Sequence, residues 1–353
     1  MDFTLSEDQQ ALQTSVREVV AEKFPPERVA EIADRGGFDA AAWKEVADLG
    51  WTGVAVPEAS GGLGMGFVAE AVVAEELGRG LYPGPYLPSV TALSALGEAA
   101  ELTERILTGR SAGTFALGRT DGEPDLVAER HPDGWRISGE AMFVPDLDSA
   151  EVVVVAAEAP DEPGLYAVER DAGSWESLPT VDTTRRMGRL ALDGAVASQL
   201  ATGEEAVEAL TRRALAGLAA EAVGVAQRAL EMGVQHAGER EQFGRPIGVY
   251  QAVSHRLADV FVAVEGARSL SLWAAWTVDN DSPDADAAVA AAKAEASEAA
   301  VVACEVAIQV HGGIGFTWEH PLHRFYKRAL GTSALLGWPQ EHRARIAAAL
   351  LGS

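Results

Sequence analysis

The sequence predicts a mainly helical α+β chain: an N-terminal helical domain (1–112), a small antiparallel β domain (113–202) and a C-terminal four-helix bundle (203–353). Three observations carry this. Apolar residues recur at helical spacing up to about residue 112. The texture then turns to short, β-branched runs separated by turn residues. From 203 onward the period of three to four returns and is sustained over long stretches.

Ser6 is a good N-cap for the helix DQQALQTSVREVVAEKF, in which Leu12, Val16, Val19 and Phe24 share a face and Pro25-Pro26 stop the run. FDAAAWKEVADLGW gives a second helix, GWTGVAVPEASGGLGMG a Gly/Pro-rich connection, and FVAEAVVAEELGRG a third helix. YPGPYLP breaks the chain before a further helical pair that ends near Gly109. GWRISGEAMFV, AEVVVVAA and PGLYAVER read as strands, with Pro132-Asp133-Gly134 a turn before the first. In the bundle, Val207, Leu210, Ala214, Leu218, Ala222, Val225, Ala229 and Met232 mark a helix of about 30 residues, roughly 45 Å long. A second helix spans about 249–278. A third starts at Ser282-Pro283, with Asp284 and Asp286 at its positive end, and stops at Gly312-Gly313; a fourth, shorter one closes the chain. Neither an internal repeat nor a low-complexity tail is present.

Lys plus Arg number 28 and Asp plus Glu 53, a net charge of −25. Such a chain repels nucleic acid and anionic lipid, so neither is an expected partner. No stretch reaches the roughly 18 unbroken apolar residues of a membrane span. The acidic start MDFTLSEDQQ resembles no targeting peptide, which makes cytoplasm the expected compartment. Cys304 alone supports neither a disulfide framework nor a thiolate metal cluster. Any anionic ligand must be held by local basic clusters, of which there are two: Arg240–Arg245 and His320–Arg328.

GxSxG, HExxH, the P-loop and a strand followed by GxGxxG are all missing. His320 and His323, with Pro321 between them and no third ligand, make a poor metal site, and His236 reads as a satisfied polar residue. The informative segments are EREQFGRPIGVYQ (239–251) and QVHGGIGF (309–316). Each residue in them has a plain reading: Arg240 compensating a helix dipole, Phe243 in the core, Gly244 a C-cap, Gly312 and Gly313 a helix end. Together they also offer a guanidinium, aromatic rings, amides and bare glycine backbone to an anion.

LGWTGVAVPEASGGLG with AEELGR, REQFGRPIGVYQAVSHRLAD and IQVHGGIGFTWEHPLHRF resemble segments of the acyl-CoA dehydrogenase family, in that family's order and along the whole chain. The resemblance implies the acyl-CoA dehydrogenase fold and an FAD-dependent α,β-desaturation of an acyl-CoA thioester, with electron-transfer flavoprotein as acceptor. In dimers of that family the flavin lies between subunits, one holding the ring and its neighbour the adenine and pyrophosphate. The neighbour's share maps onto Arg240, Gln242, Phe243, Ile247, Tyr250, Gln251, Gln309, Gly312 and Gly313.

The other half of the family's pattern is eroded. Its ring-side loop aligns with GRTDGEPD (118–125), which shares little with it, and its Trp-Ile-Thr segment with Phe143-Val144-Pro145. Proline offers neither hydroxyl nor N–H. The two positions at which the family carries its catalytic carboxylate align with Leu336 and Ala214, so no catalytic base is expected here; Glu221 and Glu341 are the carboxylates nearby. The pattern resembles the non-catalytic subunit of actinobacterial heteromeric (α2β2) enzymes acting on bulky, steroid-type acyl-CoA side chains. That implies a homologous catalytic subunit as partner. A homomeric flavoenzyme with a relocated base and a flavin-free acyl-CoA-binding scaffold are the alternatives.

Overall fold

The structure is a computed structural model that describes residues 4–97, 99–117 and 126–351. The segment 118–125, singled out above as a ring-side loop, lies outside the described residues. By contacts the chain divides into two units: one takes the residues up to Glu31, Ala71–Tyr82 and everything from Leu215, the other Ile32–Glu70 and Pro83–Ala214.

The N-terminal helices are α1 (Glu7–Lys23), α2 (Pro26–Asp34), α3 (Ala40–Asp48), α4 (Gly66–Arg79), α5 (Tyr86–Leu96) and α6 (Ala100–Leu107). Ser6 closes a complete capping box with Gln9 at the start of α1, and Phe24 caps its far end. α2 was not anticipated: Pro25-Pro26 ends α1, but Pro26 then serves as the first residue of a new helix, where its missing N–H is not needed.

In the second unit, β1 (Ala112–Ala116), β2 (Leu126–His131), β3 (Gly134–Pro145), β4 (Ala150–Ala157), β5 (Gly164–Glu169), β6 (Ser174–Leu178) and β7 (Met187–Thr202) form one sheet in the order β1-β4-β5-β7-β3-β2, with β6 also on β7. Pairing is antiparallel except between β1 and β4. Val152–Val155 are wholly buried at the centre of β4, as an unbroken apolar strand requires. Tyr166, Ile137, Leu190 and Leu126 fill the core beside them. The long β7 is not among the strands read from the sequence; its Asp193-Gly194 pair has the composition of a hairpin turn. Gly194 (φ +64°) instead lies in a β-bulge, where the β3–β7 register slips between Ile137 and Gly139.

The helical unit is completed by α7 (Glu204–Glu239) from Leu215 onward, a tiny hairpin of β8 (Glu241–Gln242) and β9 (Arg245–Pro246), α8 (Gln251–Asp279), α9 (Ala285–His311), α10 (Leu322–Ala334) and α11 (Pro339–Leu351). The chain therefore closes with two short helices rather than one. α9 begins at Ala285, after Pro283, because the Ser282 hydroxyl and carbonyl accept from the Asp284 and Ala285 amides and close a turn first. By length and composition α9 could cross a bilayer; in this unit its alanines, among them Ala288, Ala292, Ala296 and Ala300, are buried.

Within this unit α4 and α7 touch backbone to backbone. A Cβ on Gly224 would run into the Glu75 carbonyl oxygen, and one on Gly78 into that of Glu221. The close crossing buries carboxylates, and each has an arginine: Glu75 with Arg268 (3.0 Å), Glu76 with Arg17 (2.6 Å) and Glu221 with Arg328 (2.9 Å). Burial pushes the Glu75 carboxyl above its usual range even against the opposing Arg268 charge. Arg328, only 2% exposed, also donates to the Tyr82 carbonyl. Breaking a buried pair strands the remaining charge, so Arg328→Met is expected to destabilise the chain by about 3–5 kcal/mol. Arg328→Met with Glu221→Met together is expected to recover most of that loss. Urea unfolding of the three proteins checks both statements.

Candidate functional site

At its C-terminal end α7 hands over to a hairpin that is braced from within. The Arg240 amide still donates to the His236 carbonyl (2.8 Å), and the Ile247 amide closes the loop onto the Arg240 carbonyl (2.8 Å). Phe243 and Gly244 form the two-residue turn with φ of +53° and +76°, the geometry that matches the twist of a hairpin. The Tyr250 hydroxyl donates to the Gln242 carbonyl (3.2 Å), and the Arg245 guanidinium lies 4.7 Å from the Tyr250 ring centre. The result corrects two plain readings. Phe243 is 93% exposed and not a core residue, and Gly244 turns a hairpin and does not cap a helix.

The second stretch is the end of α9. Gly312 is its C-cap at φ +65°, and its N–H is engaged by the Gln309 and Ile308 carbonyls. Its contribution is therefore conformational, and the amide that this arrangement leaves for a ligand is that of Gly313. A Cβ on Gly312 or on Gly313 would meet no protein atom within 4 Å. Bare backbone here adjoins open space.

Imidazole stacking joins the two stretches. The rings of His236 on α7 and His311 at the end of α9 lie 4.1 Å apart and nearly parallel, and His320 tilts against His311 at 4.5 Å. Burial, then the neighbouring imidazoles, pushes the His320 ring down to about 4; burial, His311 and Arg240 also lower His236. Among the described residues no group of three or more His, Cys, Asp or Glu could hold a metal ion. Of the residues picked out by the sequence, Arg240, Gln242, Phe243, Gln251, Gln309, Gly312 and Gly313 are exposed, while Ile247 and Tyr250 are half-buried.

The positions expected to lack a base have structural occupations. Leu336 is half-buried at φ +59°, a conformation unfavourable for a branched side chain. The loop around it is held from inside by the fully buried Lys293, whose ammonium donates to the Thr332 (2.9 Å), Ser333 (3.3 Å) and Gly337 (3.4 Å) carbonyls and to the Ser297 hydroxyl (3.2 Å). Behind Gly337 sits His342, fully buried and pushed down to about 4 by burial and by Lys293. The Glu341 carboxylate accepts from the Trp338 amide (3.2 Å), half of a capping box at the start of α11. Glu221 is bound by Arg328. In the other unit, Ala214 is fully buried on α7. Phe143 flares out of a β-bulge at φ +57°, while Pro145 is buried in the sheet and its carbonyl accepts from the Thr114 hydroxyl.

Sequence reasoning missed Lys293 and His342, and it placed Arg328 in a basic cluster offered to an anionic ligand, where the structure buries it against Glu221. Lys293 did leave a signal, a lone cation in the run AAAKAEAS, where small apolar neighbours mark a buried helix face.

Comparison with known proteins gives a consistent result. The acyl-CoA dehydrogenase N-terminal domain model matches residues 6–101 and the C-terminal domain model residues 201–351. The acyl-CoA dehydrogenase IpdE2 of Mycobacterium tuberculosis is 33% identical over 346 residues, 98% of either chain. Among solved structures, the ChsE4–ChsE5 complex from Mycobacterium tuberculosis superposes with a TM-score of 0.93 at 32% identity, covering 100% of both chains. A variant of the Tcur3481–Tcur3483 steroid ACAD gives 0.91 at 33% identity over 99% of each.

The two glycines are expected to differ in what they tolerate. Gly312→Ala forces a Cβ into a backbone region reserved for glycine and is expected to cost about 1–3 kcal/mol. Gly313→Ala, with open space around it, should change stability by no more than about 0.5 kcal/mol. Denaturant midpoints of the two variants check this.

Proposed function

The chain belongs to the acyl-CoA dehydrogenase family, and we propose that it serves there as the non-catalytic subunit of a heteromer, completing the flavin site of a homologous catalytic subunit. The observation that carries this reading is that neither base position holds a carboxylate: Leu336 and Ala214 occupy them, and the nearby Glu221 and Glu341 are engaged by Arg328 and the Trp338 amide. Losing a general base typically lowers a rate 10²–10⁴-fold.

FAD is the cofactor, and when bound it accepts the hydride that leaves the β-carbon of an acyl-CoA. The residues present fit one half of it. Arg240, with Gln242, Phe243, Ile247, Tyr250, Gln251, Gln309, Gly312 and Gly313, would hold the adenine and pyrophosphate. Arg240 supplies charge, Gly313 a bare amide, and the exposed Phe243 and half-buried Tyr250 apolar surface. The ring half fits poorly, since Pro145 has no N–H and its carbonyl already accepts from Thr114. A self-contained enzyme with a relocated base is disfavoured by the same engaged carboxylates. A flavin-free scaffold would leave the outward display of Arg240 and Phe243 without purpose.

Electrons would pass from the partner-held flavin to an electron-transfer flavoprotein. A steroid side-chain CoA is the proposed substrate of the assembled enzyme, a reading supported by the likeness to the steroid ACAD structure. The task of this chain is then to bind, orient and shield, while proton removal belongs to the partner.

The chain alone is expected to show no turnover with acyl-CoA substrates and an artificial acceptor, and Leu336→Glu to restore no more than a trace. In a complex with a family member carrying a carboxylate at either base position, Arg240→Ala should weaken flavin binding roughly tenfold to a hundredfold. Gly313→Val should do likewise by closing the approach to its amide. Flavin per complex, read by absorbance, checks both. Unchanged occupancy and affinity in the two variants would reduce these residues to ordinary helix ends.

A further inference from the structure

We infer that the stacked imidazoles of His236, His311 and His320 are the protonatable part of this anion site, so that a diphosphate diester bound at Arg240 and Gly313 draws a proton into the stack. The inference rests on the reading of this end of the helical unit as the pyrophosphate side of a flavin site.

Its first support is placement. The rings come from three separate segments, the last turns of α7, the last residue of α9 and the approach to α10, and converge as one column. The column is built into the proposed site: His311 immediately precedes Gly312, and the His236 carbonyl takes the Arg240 amide. An anion held by Arg240 and the Gly313 amide would therefore lie beside it.

The second support is the hydrogen-bonding state of the rings. His311 Nδ1 lies 2.8 Å from the Ala307 carbonyl oxygen, which can only accept, so this nitrogen carries a proton and Nε2 is the basic one. His320 Nδ1 accepts from the Leu322 amide at 3.3 Å, so in the neutral ring the proton sits on Nε2. His311 Nε2 is free of the Ala307 contact and can take a proton without breaking it, whereas protonating His320 would forfeit the Leu322 bond. A first proton in the column repels a second, which limits uptake to about one.

The charged and titratable groups bearing on the column are Glu239 and Arg240 at the end of α7 and His323 on α10. Arg240 and the rings themselves disfavour protonation, and Glu239 favours it. Two phosphate charges placed next to Arg240 reverse that balance. The negative end of α9 favours a cation at His311 as well. Phenylalanine or tyrosine would fill the same column by stacking alone, so the competing reading is that the rings are packing and nothing more.

The sign follows from linkage. A ring whose pKa rises when the anion binds makes binding tighter as pH falls, with the gain complete below the free-state pKa and absent above the bound-state value. The probe is ADP-ribose, whose diphosphate diester has no group titrating between about pH 5 and 8, so any proton taken up belongs to the protein. Calorimetry of the full chain at pH 6, in two buffers of different ionisation enthalpy, is expected to give buffer-dependent heats that report proton uptake. A shift of about one pKa unit predicts higher affinity at pH 5.5 than at pH 8, with about tenfold as its upper limit. In the triple variant His236→Phe, His311→Phe, His320→Phe, which keeps an aromatic column but cannot titrate, the ratio should fall to near one. Binding without proton uptake in the wild type would overturn the inference and leave the anion site standing. A pH dependence that survives in the triple variant would assign it to other groups and overturn the inference. Failure of ADP-ribose to bind at either pH would overturn both the inference and the reading on which it rests.

Discussion

The helical unit depends on one close crossing. Where α4 meets α7, Gly78 and Gly224 let two backbones come together with no side chain between them. Carboxylates on the same turns are thereby taken out of water. A buried, unpaired carboxylate is too costly to survive in a marginally stable fold, so each requires a guanidinium brought from elsewhere. Arg17 comes from α1, Arg268 from α8 and Arg328 from α10. The ion pairs thus act as address labels: helices far apart in sequence are fixed in register on α4 and α7 because only one placement leaves no charge stranded. The same economy recurs in the other unit, where buried Glu70 accepts from Arg213 at 2.6 Å.

With the helices registered in this way, their ends become predictable in space. α7 and α9 finish at the same end of the unit, where His236 meets His311, so a hairpin following one and a glycine pair following the other are presented side by side. The hairpin needs no partner to hold its shape. Phe243 stays outside because both turn residues have positive φ and Tyr250 braces the strands from behind.

The architecture was legible in the sequence wherever periodicity or turn chemistry was unambiguous: the Ser6 cap, the valine run of β4, the long stripe of α7. It misled wherever one local signal has two uses. Pro26 stops one helix and starts the next, and Asp193-Gly194 serves a bulge as readily as a turn. The segments around the glycine pair stood out because their residues are continuous in sequence. The roles of Lys293, His342 and Arg328 did not, because they lie in carbonyls and carboxylates far along the chain. Likewise, a mutual stack of three histidines drawn from separate helix ends carries no spacing that a sequence pattern would register.

The internal clamp on the Leu336 loop has an evolutionary corollary. Backbone shape at that loop is dictated by an ammonium pulling carbonyls inward from α9, and the side chain at 336 contributes none of those bonds. The bonds that shape the loop therefore depend on Lys293, while a side chain at 336 has only to tolerate φ +59°. A duplicated gene under such a division of labour can shed its chemistry by drift while continuing to fold, assemble and be retained.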